Sequence, residues 1–162
     1  MPAFAPRAAA RDDGAPGPRT LVWIDHHRAV IVRWDGRAHV SHVESEVPDH
    51  HRSTGHVAHN PLIRHGGGPI AQAVGEGHRL EHRRRYLEQV AALLSPTDPL
   101  ELIGPGTVRE HLYHLISEDD RLHHRGREVG TETASPLTDG QLVARLRLAA
   151  GQPAPRGRRP TA

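Results

Sequence analysis

The stretch HGGGPIAQAVGEGHRLEHRRRYLEQVAALL, residues 65–94, opens on three glycines and closes as a strongly basic helix. Between Arg64 and Arg85 there are five arginines and two acids, with His65, His78 and His82 beside them. A guanidinium offers a planar fork of donors that matches a phosphate. Glycine lets a backbone approach a ligand closely. Helical spacing puts Arg79 and Arg83 one turn apart, and Tyr86 extends that stripe. The candidate RNA-binding set is therefore Arg64, Gly66, Gly67, Gly68, Arg79, Arg83, Arg84 and Arg85. Such a set would hold a phosphate backbone through charge-assisted contacts that weaken as salt rises. The plainer alternative is a solvated helix face on which Glu81 pairs with Arg84 or Arg85.

Other residue types suggest other chemistry. The chain has 15 histidines, and imidazole is a common transition-metal ligand. The candidates are His26 with His27, His39 with His42, and the set His50, His51, His56, His59 and His65. His39 and His42 differ by an odd number, so a strand would point them to opposite faces. No HExxH or paired ligand set is present, and no metal site is assigned. The same histidines would gain charge near pH 6 and strengthen a contact with RNA. Asp25 closes an apolar strand, where nucleases of the ribonuclease H type keep a metal-binding carboxylate. Such an enzyme needs several convergent carboxylates, for which Glu44, Glu46 and Asp49 are available; the simpler role for Asp25 is a turn. In LIGPGTVRE, a strand, glycines and a helix start could bind an anion through free N–H groups. That stretch lacks the GxGxxG and Walker patterns and reads more simply as a tight strand-to-helix turn. There is no GxSxG signature, and no cofactor is implied.

These residues need a scaffold, and composition bounds it. The chain has 162 residues, 36% of them hydrophobic, and a mean hydropathy of -0.60, which is enough for one modest core with loose ends. All 21 cationic side chains are arginine, and the formal net charge is +2. Arg7, Arg11 and Arg19 lie in the first 19 residues and Arg156, Arg158 and Arg159 in the last 12, leaving 15 arginines against 17 acids between Thr20 and Ala150. Basicity is thus local, and net charge alone does not argue for nucleic acid. The absence of cysteine excludes disulfides and thiolate metal sites. With no apolar leader or spanning segment, the expected location is the cytoplasm, with no membrane partner.

Residues 1–19 and 151–162 are rich in Pro, Gly and Ala without an apolar period and are expected to be disordered tails around a single domain at 20–150. TLVWID reads as a buried strand, RAVIVRW and AHVSHVESEV as two more, with Asp35-Gly36 as a hairpin turn, so residues 20–46 predict three antiparallel strands. Residues 48–77, rich in Gly, Pro and His, predict a long mobile loop. Leu80, Leu87, Val90, Ala91 and Leu94 recur at helical spacing until Ser95-Pro96. PLELIG is a strand, and GTVREHLYHLISE a helix with Thr107 and Glu110 at capping-box spacing. A short segment at REVGTE precedes a last helix, in which Thr138 and Gln141 repeat that spacing. Three strands followed by helix, strand, helix, strand, helix predict an α/β fold with a mixed, ribonuclease H-like sheet.

LVWIDHHRAVIVRWDG, the basic helix RLEHRRRYLEQVAALL behind a Gly-rich loop, LELIGPGTVREHL and TDGQLV together resemble the middle domain of archaeal and eukaryotic class-I peptide-chain release factors and their small bacterial stand-alone relatives. The resemblance spans residues 20–148 and rests on the order and spacing of these segments. It implies a ribonuclease H-like fold and a ribosome or structured RNA as partner. In that family a Gly-Gly-Gln tip enters the peptidyl-transferase centre and promotes peptidyl-tRNA hydrolysis. Anchored on Tyr86, with Arg83 and Glu81 matching, an ungapped alignment puts the tip at Gly68-Pro69-Ile70, and a small gap puts it at Gly66-Gly67-Gly68. Neither supplies the glutamine, and Gln72 follows Ala71. The resemblance therefore implies a non-enzymatic ribosome- or RNA-associated protein acting in translation rescue or dormancy. A metal-dependent hydrolase using Asp25 and histidines, and a histidine-rich metal-binding or structural protein, are the other readings.

Overall fold

A computed structural model of the chain describes residues 17–46 and 69–152. Strands β1 (Arg19–Ile24), β2 (Arg28–Trp34) and β3 (Ala38–Glu44) are followed by helix α1 (Pro69–Ala92), strand β4 (Leu100–Gly104), helix α2 (Gly106–Leu122), strand β5 (Val129–Thr133) and helix α3 (Asp139–Ala149). The sheet has the order β3-β2-β1-β4-β5, with β1–β2 and β2–β3 antiparallel and β1–β4 and β4–β5 parallel. This is the mixed α/β sheet that the element order predicts, with the three antiparallel strands where they were expected.

Two helical layers explain the strand sequences. Val22, Ile24, Ala29, Ile31, Leu100 and Leu102 face α1 and α2, meeting Tyr86, Leu87, Val90, Val108, Leu112 and Ile116. The alternate residues Leu21, Trp23, Val30, Val32, Trp34 and Ile103 face α3, meeting Leu142 and Leu146. β1 is covered on both faces and paired on both edges, so it is buried from Thr20 to Ile24 and reads as a continuous apolar run. β3 and β5 are edges and are correspondingly polar. The indole N–H of Trp23 finds its acceptor at the Ser135 carbonyl oxygen, 3.1 Å away.

The turns follow side-chain chemistry. Asp35-Gly36 makes the β2–β3 turn, with Gly36 at φ 108° and the Asp35 N–H donating to the Arg37 carbonyl oxygen. The predicted capping box of α3 is formed: Thr138 Oγ1 accepts the Gln141 N–H, and Gln141 Oε1 accepts the Thr138 N–H. The one predicted for α2 is not. The cap there is Pro105, without a side-chain hydrogen bond, because the chain leaves β4 through Gly104 and enters the helix one residue before Thr107. Gly104 has φ 145°, and a Cβ on it would collide with the Ile24 carbonyl oxygen, so that exit admits only glycine.

α1 starts at Pro69, well before the first apolar repeat at Leu80. Residues 69–77, expected to belong to the loop, are therefore helical. Proline suits the first helical position, where its missing N–H costs no hydrogen bond. The rest of the expected loop, 48–68, lies outside the described residues, as do 1–16 and 153–162 of the two expected tails. Gly17–Pro18 and Gly151–Gln152 are described, and Arg19, expected in the tail, opens β1 opposite Trp34.

Candidate nucleic-acid interface

The two ends of α1 have different surroundings. At its carboxyl end Tyr86, Leu87 and Val90 are buried in the core. The Tyr86 hydroxyl donates to the Asp25 carbonyl oxygen at 3.1 Å, and burial, then the charges of Asp25 and Glu44, push the phenol well above its ordinary value. Tyr86 is thus an anchor of the helix, not the surface member of a phosphate-following stripe that its spacing suggested. Towards the amino end, Leu80 is 60% exposed although it is one heptad before buried Leu87. The apolar stripe thus continues beyond the buried part of the helix, where Leu80 is mostly exposed.

That overhanging part carries four of the predicted cations. At 3.6 residues per turn, Arg79 and Arg83 fall on the side of Tyr86 and are half-buried, whereas Arg84 and Arg85 point around to solvent. They form two flanks, not one stripe. Arg85 pairs with Glu81 at 2.7 Å and Arg84 with Glu88 at 2.8 Å, each one turn away on the same helix. The hydrogen bond from Glu88 raises the Arg84 pKa above its already high value. The solvated-face alternative therefore describes Arg84 and Arg85 at rest. Exposed pairs of this kind contribute little, because solvent screens both charges, so a phosphate can replace the glutamate with little penalty. Arg64, Gly66, Gly67 and Gly68 lie outside the described residues, with His50, His51, His56, His59, His65 and Asp49. Gln72 is described only as backbone within α1.

The β1–β2 turn sits beside Arg83. Asp25 Oδ1 accepts the N–H groups of His27 and Arg28, both at 2.8 Å, and the Asp25 N–H donates to the Arg28 carbonyl oxygen. This aspartate is occupied in shaping the turn. His26, next to it, is held below the ordinary imidazole range, first by partial burial and then by Arg83; His27 and His111 push the same way and Asp25 opposes them. His111 comes from α2, far away in sequence, and no spacing signal links it to His26. His39 and His42 project to opposite faces as predicted: His39 meets Asp35 at 3.0 Å and His42 meets Asp139 at 2.9 Å. The His39 hydrogen bond holds the Asp35 carboxyl below the usual range. Among the described residues, no group of three or more His, Asp or Glu side chains is arranged to hold a metal ion.

LIGPGTVRE forms the tight turn into α2. Arg109, which no spacing signal singles out, is buried there; its Nη1 donates to Thr133 Oγ1 at 2.8 Å and to the Gly104 carbonyl oxygen at 3.3 Å. A cavity of about 270 Å³ lies at the opposite end of the sheet, lined by Arg19, Thr20, Glu101, Glu128, Glu132 and Leu146 among others. Two of its glutamates already pair with Arg145, so it is no part of the cationic surface. Among the described residues, no helix is long and apolar enough to cross a membrane.

No family model matches the chain, and no curated protein matches it. Solved structures similar to it include the Thermoplasma acidophilum Pelota protein, at 15% identity and a TM-score of 0.42 over 87% of this chain and 35% of that one. Another is an archaeal translation termination factor, aRF1, at 16% identity and a TM-score of 0.43 over 83% of this chain and 34% of that one. The chain spans about a third of the length of these proteins.

Proposed function

We propose that the chain is a non-enzymatic, RNA- and ribosome-associated module of the release-factor middle-domain type, acting in translation rescue or dormancy in the cytoplasm. The observation that carries this reading is the overhang of α1. A helix anchored by Tyr86, Leu87 and Val90 projects beyond its sheet, with arginines on two flanks and a glycine run immediately before it. A rigid arm with a basic surface suits a cavity walled by phosphates. The segments that resemble release factors flank this arm in sequence, and neither tip they imply, Gly66-Gly67-Gly68 or Gly68-Pro69-Ile70, has a glutamine after Gly-Gly. Asp25, on which a hydrolase would rest, is engaged by two backbone N–H groups.

Sedimentation of the native protein with ribosomes and salt titration of its RNA binding test the proposal. Replacing Arg79, Arg83 and Arg85 together with alanine should weaken binding and flatten its dependence on salt, by about one unit of slope for each phosphate no longer neutralised. The unmodified protein should release no peptide from peptidyl-tRNA. Salt-insensitive binding, unaffected by the triple replacement, would overturn RNA recognition by α1; robust peptide release would overturn the non-enzymatic assignment.

A further inference from the structure

α3 packs on apolar residues of β1 and β2 and on Ile103 of β4, and the edge strand β5 adds none to that core among the described residues. Where β5 begins, the same face of the sheet opens into the cavity of about 270 Å³. Glu128, Gly130 and Glu132 line it along the edge, Glu101 lines it from β4, Arg19 from β1 and Ala149 from the end of α3. Every second residue of an extended strand shares a face, which is why the first three stand together. The cavity is short of positive charge. Arg145 pairs with Glu101 and Glu132, and Arg19 is the lining cation, so three carboxylates meet two guanidiniums. Among the described residues, Glu128 makes no side-chain hydrogen bond or ion pair. Gly130 supplies the room: a Cβ on it would meet open space. A glycine inside a strand is a place where a ligand or another backbone can come close. A water takes about 30 Å³ of liquid, so the cavity can hold a guanidinium with several waters.

We propose that this cavity is a docking site for the chain's own residues 153–159, with one of their guanidiniums paired to Glu128 over Gly130. α3 ends at Ala149, on the cavity wall, and Gln152 is the last described residue. Arg156, Arg158 and Arg159 follow, and residues 153–162 contain no acid. Arg156 is four residues beyond Gln152, a reach of at most about 14 Å. The other segments fit less well. Residues 1–16 balance Arg7 and Arg11 against Asp12 and Asp13, and residues 47–68 leave from β3, the opposite edge of the sheet. Tethering favours the chain's own arginines over a separate peptide. An exposed ion pair is worth little by itself. A ligand joined to the rim by a few residues, however, is present at an effective concentration of about millimolar and avoids most of the entropy cost of association. Docking there is independent of RNA binding, because α1 lies on the other face of the sheet.

A spin label on the full chain tests this. The chain has no cysteine, so Gly157→Cys gives a single attachment point for a nitroxide. At low salt the label should broaden the amide signal of Thr131 and leave those of Val40 and His42, on the opposite edge strand, at full intensity. Two substitutions in the cavity should each restore the Thr131 signal: Glu128→Gln removes the charge, and Gly130→Val fills the space with a residue suited to a strand. Salt at about 1 M should do the same, since charges are then screened beyond about 3 Å. The same label on a chain with Arg156→Gln, Arg158→Gln and Arg159→Gln together should also leave Thr131 sharp. Broadening that survives the two cavity substitutions and the salt, or that persists without the three arginines, would mean contact without the pairing and overturn the site. Broadening confined to the end of α3 in the labelled parent would leave the cavity to a separate partner and overturn residues 153–159 as its occupant.

Discussion

α1 and α3 both carry arginines and both pack on the central strands, yet the two sets have different partners. On α3, Arg145 reaches across the sheet to Glu101 on β4 and to Glu132 on β5, the latter at 2.8 Å, and the Arg147 guanidinium lies over Trp34, 5.6 Å from its ring centroid. On α1, Arg84 and Arg85 pair within their own helix, with Glu88 and Glu81 one turn away. The cause is geometric. α3, 11 residues long, lies over strands that present glutamates on its face, whereas α1, at 24 residues, outruns the strands it covers. A guanidinium on α3 is committed to the fold; one on α1 keeps a partner it can exchange.

Several substitutions break or sharpen this contrast. The largest effect is expected at the seam that supports both helices: Gly104→Ala forces a Cβ against the Ile24 backbone at a positive φ and should lower stability by about 3 kcal/mol or more, disrupting both faces together. Chemical denaturation measures it, and a shift confined to one face by hydrogen exchange would contradict the common seam. Next, Leu142→Ala on α3 should cost about 2–5 kcal/mol, since Leu142 is fully buried. The matching Leu80→Ala on α1 should move the unfolding midpoint far less, because that side chain is mostly exposed. Arg145→Ala should lower stability by less than Leu142→Ala, because water can replace the donor lost by Glu132 and in part by Glu101, while Arg85→Ala should be silent in denaturation and visible only in RNA binding.

The α3 network also predicts a pH effect. Arg145, through its hydrogen bond and charge, holds the Glu132 carboxyl below its ordinary value, so the folded state favours its ionised form. The stabilisation is present above the ordinary glutamate range and fades as pH falls through it. In Arg145→Ala that acid-side loss should shrink. The smallest expected effect separates the two helix starts: Thr138→Ala should lower stability by about 1 kcal/mol, and Thr107→Ala should change nothing, because only Thr138 caps its helix. Equal losses at the two threonines would mean that α2 is capped after all.

Much of the scaffold was legible beforehand. Buried β1 and β2 advertise themselves as apolar runs, Asp35-Gly36 as a turn, and Thr138 with Gln141 as a helix start, because each signal is local. The beginning of α1 was not legible, since its first residues lie in the Gly-, Pro- and His-rich stretch that reads as a loop, whereas the helix begins at Pro69. Thr107 with Glu110 had the right spacing for a cap and failed because the exit of β4 through Gly104 sets the cap at Pro105, two residues earlier. Of the candidate interface, the arginines were evident from their types; their division into two flanks follows from helix geometry, and the partners of each were not evident.

What the sequence by itself determined is therefore whatever depends on neighbours along the chain: strand runs, turns, a capping box, the basic character of α1 and the glycines that precede it. The tertiary structure decided which cations are already committed. Arg145 meets Glu132, 13 residues away, and Glu101, 44 away, and Tyr86 meets the carbonyl of Asp25, 61 away. Charges act through space, so those partners exist only once strand order and helix placement have brought separate stretches to the same end of the sheet.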